Sequence, residues 1–423
     1  MRAIVALLVS CSVLSAAHAY AEAPDLVEIA KTGTAKEVAA AIAKGGSVTA
    51  RDSDGHTALM HAAQYNPRAD VIPALLKAGA KLDDLSKTGL TPLMIAAGNA
   101  SNPEVVEALI AAGADAGERR SIYQRTPLMQ AAAFNQNPAV IEVLLKAGAN
   151  INDADKDGGT PLMWALMANP NEAVIRLLIE RGADLKFVPA DGGTVLITTA
   201  QETRFPAYIA LLLKAGASVE ERMNDGSTAL MVAAAKNPIT AVSSALIDAG
   251  ADVNARNKDG RQPLDVAAQN NQNPEVAAVL LKAGANANSA WGRGTTALII
   301  AAKSNTNPAM VETLLQGGAD PSIKDQEGKT ALMYALQGNQ NPRVATTLIK
   351  ASADVNAKDN RGQTPLMYAA QSSIQQRSIS ALLKAGAESR AKDLSGSSAL
   401  DYARKNQALI GTKELDELIE ASK

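Results

Sequence analysis

Residues 126–158 read TPLMQAAAFNQNPAVIEVLLKAGANINDADKDG, and close copies of this stretch recur along the chain. Each copy starts at a three-residue box, which is Thr-Pro-Leu or Thr-Ala-Leu in most of them. The box begins at Thr57, Thr91, Thr126, Thr160, Thr194, Thr228, Gln262, Thr296, Thr330, Thr364 and Ser398. Successive boxes are 34 residues apart, except that Thr91 and Thr126 are 35 apart. A fixed period of this length is typical of a solenoid, whose units bury their apolar faces only against their neighbours.

The first half of the unit predicts a short helix. Leu128, Met129, Ala131 and Ala132 are spaced three and four residues apart, so their side chains lie on one helical face. Asn135 follows this apolar set, and asparagine tolerates the left-handed conformation in which many helices end. We therefore expect the first helix to end at Asn135 in that conformation.

The second half predicts another helix and a loop. Asn137 is a favourable N-cap, and Pro138 suits the first helical turn. Gly148 is expected to end the helix in the left-handed region, where one unit instead has Ser352. The polar segment between this glycine and the next box, which we call the finger, ends in a turn glycine, replaced by Gln124 in one unit. The apolar positions of the helix are Val140, Ile141, Leu144 and Leu145.

The unit resembles the ankyrin repeat. The matching motifs are the T-P-L box, the Ala-Ala pair, the V-x-x-L-L-K-A-G-A-D/N second helix and the N-x-x-D-x-x-G finger. The resemblance covers roughly residues 24–420, and about ten consecutive units agree. It implies an all-α solenoid of stacked helix-turn-helix units with extended finger loops, about twelve units including the caps. It also implies that the fingers and the exposed side of each first helix line a concave binding face.

Two departures from the ankyrin pattern are expected to be structural. The histidine that usually follows the box is mostly methionine, and its strict period predicts one buried row. These residues are Met60, Met94, Met129, Met163, Met231, Met333 and Met367. The usual Gly-His between the helices becomes Asn-x-Asn-Pro, one residue longer, and helix capping accounts for it. Because the lost histidine typically links loops, stabilisation is expected to shift toward packing.

The N-terminus is predicted to be a signal peptide at residues 1–19. Arg2 precedes a short apolar run, and Ala17-His18-Ala19 fits a cleavage site. The run is too short to span a membrane. Lipid attachment at Cys11 is the alternative, although the preceding signal would be unusually short. Residues 20–423 are expected to be a single repeat domain, with caps at 24–56 and 396–423 and ten repeats at 57–395.

Composition argues against several kinds of partner and chemistry. With 41 basic and 43 acidic residues, the formal net charge is −2, and the basic finger around Arg119, Arg120 and Arg125 is too small to follow a phosphate backbone. No nucleic-acid partner is expected, and a monomer is expected. The sequence predicts no catalytic residues and no cofactor, because it contains no phosphate loop and no recognisable nucleophile site.

A metal site is not expected either. Residues 153–158 match the first half of an EF-hand loop, but the twelfth position is Trp164, so an ordinary finger is favoured. After cleavage only His56 and His61 would remain, and no cysteine. Both histidines are expected to be surface residues.

The aromatic residues are the candidates for partner binding. They make up only 3% of the chain, yet several fall in fingers or on first helices, and Trp and Tyr are favoured interface anchors. The alternative is local packing of irregular fingers, above all at Phe187. Tyr334 and Tyr368 lie between the box and the Ala pair. The candidate partner-binding residues are Tyr65, Tyr123, Phe134, Trp164, Phe187 and Trp291, with Arg119, Arg120 and Arg125 around them.

The sequence therefore predicts an extracytoplasmic scaffold, periplasmic or secreted, that binds a protein through the concave face of the solenoid. An exported effector acting on a host protein is the alternative. An enzyme with an unrecognised site is a distant third, since fold alone does not imply function.

Overall fold

The computed structural model describes residues 25–187 and 192–423. The predicted signal peptide, with Cys11 and the cleavage site, lies outside the described residues. The chain divides into two compact units, one ending at Asn150 and the other starting at Ile151. The described residues contain 24 α-helices arranged in consecutive pairs, which confirms the all-α repeat fold.

The first unit contains four helix pairs. Within it, each first helix packs against the first helix of the next pair, and each second helix packs against the next second helix. Its helices are α1 Leu26–Thr32, α2 Ala35–Ala43, α3 Ala58–Tyr65, α4 Val71–Lys77, α5 Pro92–Asn99, α6 Pro103–Ala111, α7 Pro127–Phe134 and α8 Pro138–Lys146.

The described part of the second unit contains eight pairs with the same internal packing from the second of them onward, and a short 3-10 turn at Gln407–Leu409 precedes its last helix. Its helices are α9 Pro161–Ala168, α10 Glu172–Glu180, α11 Val195–Glu202, α12 Ala207–Lys214, α13 Ala229–Lys236, α14 Thr240–Asp248, α15 Pro263–Asn270, α16 Pro274–Lys282, α17 Ala297–Ser304, α18 Pro308–Gln316, α19 Ala331–Gly338, α20 Pro342–Lys350, α21 Pro365–Gln371, α22 Gln376–Lys384, α23 Ala399–Lys405 and α24 Lys413–Ala421.

The box residues begin the first helices. Thr126 is the N-cap of α7, and its hydroxyl accepts the N–H of Met129 at 3.3 Å. The Met129 sulfur in turn accepts the N–H of Thr126 at 3.4 Å. All seven methionines of the predicted row are at most 4% exposed, so the row is buried as expected. The box therefore both caps the helix and supplies core side chains.

The expectation for Asn135 is wrong. This residue has φ −85° and ψ 124°, which is extended backbone rather than the left-handed region. Its side chain instead donates to Ala97 O and Ala100 O of the preceding pair, both at 3.0 Å. Its Oδ1 accepts the N–H of Asn137 at 2.9 Å. The amide thus supplies donors to two carbonyls at the end of the first helix of the preceding pair.

The same asparagine bonds recur along both units. Asn305 donates to Ala268 O and Asn271 O, both at 2.9 Å, and is fully buried. Equivalent amides that donate to two carbonyls of the preceding pair are Asn66, Asn237, Asn271, Asn339 and Asn406. Neighbouring pairs are therefore joined by hydrogen bonds as well as by apolar packing.

The second helix of the quoted unit begins and ends as the sequence predicts. Asn137 caps α8, since its Oδ1 accepts the N–H of Ala139 at 3.0 Å. Gly148 follows the helix with φ 91°. Ser352 and Gln124 occupy glycine positions with φ 60° and 56°, a region that disfavours any side chain. Both residues therefore carry local backbone strain.

No helix in the described ranges, 25–187 and 192–423, is long and apolar enough to cross a bilayer.

Candidate functional site

The finger aspartates fix the fingers to the first helices. In the residues that resemble half of an EF-hand, Asp155 Oδ1 accepts the N–H of Asp157 at 3.0 Å and of Gly159 at 2.7 Å. Its Oδ2 accepts the indole N–H of Trp164 at 3.0 Å. The carboxylate therefore closes the finger turn and joins it to α9, in agreement with the finger interpretation.

This arrangement occurs in five units, always between a ring on the first helix and the aspartate nine residues earlier. The pairs are His61–Asp52 (2.8 Å), Trp164–Asp155 (3.0 Å), Tyr334–Asp325 (2.5 Å), Tyr368–Asp359 (2.7 Å) and Tyr402–Asp393 (2.5 Å). The other six units of the sequence have neither the aspartate nor the ring at these positions. A bond within the repeat therefore accounts for the rings of Trp164, Tyr334 and Tyr368.

The last of these pairs keeps its aspartate charged. Burial alone would raise the pKa of Asp393, but it is outweighed by hydrogen bonds from the Tyr402 hydroxyl and from Ser395 and Ser397. The pKa of Asp393 is lowered to about 2 as a result. A charged acceptor strengthens the hydrogen bond from the tyrosine.

The two histidines lie beside a finger aspartate, and one of them is buried. His61 is only 5% exposed, so the expectation of a surface residue is wrong for it, because its ring turns back toward Asp52. His56 is half-buried, with Nδ1 3.9 Å from Asp52 Oδ2 and its ring edge-on to His61 at 5.5 Å. Burial is the main cause that lowers the pKa of His56, so this imidazole is neutral at neutral pH. The structure thus brings two histidines and a carboxylate together.

Two aromatic side chains are exposed in the described part of the first unit. Tyr65 ends α3 and Phe134 ends α7, at the same position of their repeats, and they are 54% and 51% exposed. The ring of Tyr65 stacks on His61, with centroids 6.0 Å apart. Most neighbouring positions on these helices are buried, so the two rings stand at the solvent edge of otherwise apolar helices.

Phe134 borders a shallow, open concavity of about 590 Å³. The other lining residues come from the end of α5 and from the turns after α5 and α7, including Asn99 and Asn137. A site of this kind leaves most of a small ligand in water, whereas small-molecule sites enclose most of the ligand surface. The geometry suits a side chain or loop of a protein.

The fingers of the first unit carry a second group of exposed residues. The Arg125 guanidinium lies 5.3 Å from the ring centre of half-buried Tyr123, while Arg119 and Arg120 are exposed. Arg120 is 3.9 Å from Asp83, both largely in solvent. Two apolar residues of these fingers that were not predicted as binding residues, Ile122 and Leu85, are 61% and 39% exposed. In the sequence, each is an apolar residue in a mostly polar finger.

The second unit holds the remaining candidates, each in a different setting. Trp164 is half-buried against its own finger, and Phe187 is half-buried beside residues 188–191, which are not described. The Trp291 ring is covered by the Arg261 guanidinium at 4.4 Å. Three further residues with large exposure were missed by the sequence analysis: Ile374, Leu394 and Ile410.

Comparison with known proteins agrees with this architecture. The family model described as ankyrin repeats (3 copies) matches residues 26–120, 94–188, 196–290, 298–393 and 339–412. The crystal structure of the human ASB11 ankyrin repeat domain is similar at 25% identity and a TM-score of 0.45, covering 54% of this chain and 98% of that one. No curated protein is detectably similar in sequence. Because the family matches span well over half of its residues, this chain belongs to the ankyrin repeat family.

Proposed function

We propose that this chain is an extracytoplasmic scaffold that binds a protein partner through the exposed rings of its first helices and through its fingers. Ankyrin repeats generally serve as protein-interaction scaffolds and are typically not enzymes. The finer assignment depends on which side chains this particular chain exposes.

The observation that carries the proposal is the exposure of Tyr65 and Phe134. Neither ring is needed to fill the core, because the residues at the same position in other repeats include Asn99, Ala168 and Lys236. Aromatic side chains that project from a rigid helix end contribute large contact area at little entropic cost. The arginines of the fingers add donors for carboxylates. The expected partner therefore presents apolar and acidic groups.

The N-terminal sequence supports an extracytoplasmic location. Residues 1–19 have the charge, apolar run and small-residue site of a secretory signal. The test is N-terminal sequencing of the protein from its native host, with Tyr20 expected as the first residue. An intact Met1, or a lipid-modified Cys11, would contradict the proposed processing.

Photo-crosslinking tests the binding surface. A photoreactive phenylalanine analogue at position 134 should trap a partner in native cells, whereas the same analogue at the equivalent, exposed position 236 should not. In a separate pull-down from native cells, Phe134→Ser should weaken capture of that partner about tenfold or more, as for a central interface residue. Equal capture from both positions, with no effect of Phe134→Ser, would place the interface elsewhere.

A further inference from the structure

The ligand-type side chains of the first full repeat form one cluster. One ligand atom from each of Asp52, His56 and His61 lies within 4.8 Å of the others. Asp52 Oδ2 is 2.8 Å from His61 Nε2 and 3.9 Å from His56 Nδ1. His61 is buried, while Asp52 and His56 keep partial contact with solvent, so the cluster is open on one side.

The His61–Asp52 pair alone does not indicate a ligand, because Trp and Tyr rings make the same bond in four other units. The distinguishing residue is His56, directly before the box. The other four units with a ring–aspartate pair have at this position Gly159, Lys329, Gln363 and Ser397. None of these is a usual ligand for a transition metal. Only the first of the five units therefore adds a second imidazole to the pair.

We propose that Asp52, His56 and His61 bind a divalent transition-metal ion of the zinc type, with water completing the coordination. Two imidazoles and a carboxylate are ligands that suit zinc and neighbouring metals. This departs from the sequence-based expectation of no metal site.

The geometry requires only small adjustments. Ligands about 2.0–2.2 Å from a tetrahedral zinc lie roughly 3.3–3.6 Å from one another. The observed distances of 2.8 and 3.9 Å from Asp52 fall on either side of that range. No two of the three ligand atoms are more than 4.8 Å apart, so side-chain shifts of about 1–1.5 Å would bring all three into that range.

Metal binding at His61 requires a change of imidazole tautomer. To bind a metal through Nε2, the neutral ring must carry its proton on Nδ1. Nδ1 of His61 is buried without a hydrogen-bond partner among the described residues. The change of tautomer therefore breaks no existing bond at Nδ1, and the bond lost at Nε2 is replaced by the metal.

The chain supplies matched variants for the test. His61→Tyr places there the residue found at Tyr334, Tyr368 and Tyr402, so it should keep the bond to Asp52 and the fold while removing a metal ligand. His56→Ser copies Ser397 in the last such unit. Both variants retain Cys11 and His18, so any binding by those residues is common to all samples.

The metal-free full chain is titrated with Zn²⁺ by calorimetry and with Co²⁺ by visible absorption. The expected result is one tight site per wild-type chain, with affinity at least about tenfold weaker in either variant. Zn²⁺ should raise Tm in the wild type only, while the metal-free circular dichroism of all three proteins stays alike. Equal binding by the wild type and His56→Ser, or no binding by the wild type, would overturn the proposal.

Discussion

The hydroxyl of Tyr368 donates a 2.7 Å hydrogen bond to Oδ2 of Asp359, nine residues before it. Both residues are buried. Oδ1 of the same carboxylate accepts the N–H of Arg361 at 2.9 Å and of Gln363 at 2.7 Å. Burial, and then the neighbouring carboxylate, raise the pKa of Tyr368 far above its ordinary value, so the hydroxyl stays a donor. One aspartate thus joins the finger to the first helix.

Tyr368→Phe should destabilise the second unit by about 1–3 kcal/mol, because it leaves a buried carboxylate oxygen without its donor. Urea denaturation measures the loss. The control is the double variant with Asp359→Ser, since Ser86 and Ser121 stand at this position in units without the ring. The double variant should cost less than the sum of the two single changes. Simple additivity would show that the bond contributes nothing.

Asn135 and Asn137 should differ in their contribution to stability. Asn137→Ala removes a helix cap and an exposed bond to Ser101 O, and should cost about 0.5–2 kcal/mol. Asn135→Ala leaves the carbonyls of Ala97 and Ala100 without these donors and should cost about 2–4 kcal/mol. Chemical denaturation of both variants gives the comparison. A larger loss at Asn137 would mean that the buried bonds of Asn135 are weak.

Asp265 should make stability depend on pH. It directly follows the box, where most units have a methionine of the buried row. It is 2% exposed, and its side chain accepts the N–H of Gln262 at 2.8 Å. Burial is the main cause that raises the pKa of Asp265 from 3.8 to about 6. Because the folded pKa is raised, the stabilising contribution is complete below pH 3.8 and is lost as pH rises through about 6.

The measurement compares wild type with Asp265→Asn, which keeps an acceptor but cannot ionise. The loss for the wild type should be at most about 3 kcal/mol between about pH 4 and pH 8. Hydrogen exchange of the α15 amides reports this region. An identical pH profile for the two proteins would show that Asp265 does not titrate in this range.

Ser352→Gly should stabilise the second unit by about 1 kcal/mol, because serine is held at φ 60° where glycine carries no steric cost. The reverse change, Gly386→Ser, tests the same position in the next repeat. Its φ is 88°, and an added Cβ would meet no heavy atom within 4 Å. Only the conformational energy of the backbone should therefore change. Thermal unfolding should move in opposite directions for the two variants. A shift of the same sign in both would contradict the backbone explanation.

Phe134→Ala and Trp164→Ala should separate binding from packing. Phe134 is exposed, so truncating it should weaken partner capture and leave the free energy of unfolding within about 0.5 kcal/mol. Trp164 donates to Asp155, so truncating it should destabilise the fold by about 1–3 kcal/mol. Partner capture and the free energy of unfolding in urea are measured for both variants. Loss of stability without loss of capture at Phe134 would make it a packing residue.

The sequence by itself determined the repeat, its helices, its caps and its buried methionine row. These follow from local rules: apolar spacing sets the buried face, Thr and Asn cap helices, and glycine permits positive φ. Even the strained Ser352 and Gln124 were predictable, because a repeated pattern shows which residue departs from it. Features that depend only on neighbouring residues and recur at a fixed period can be predicted from the sequence alone.

Only the tertiary structure decided where the long polar side chains point. Asn135 reaches carbonyls 35 and 38 residues away, and His61 turns inward to a carboxylate rather than outward to water. The identity of such a residue does not specify its partner, because amides, imidazoles and indoles can donate to any acceptor within reach. Which acceptor is within reach depends on how one repeat stacks on the next, and that distance exists only in the folded protein.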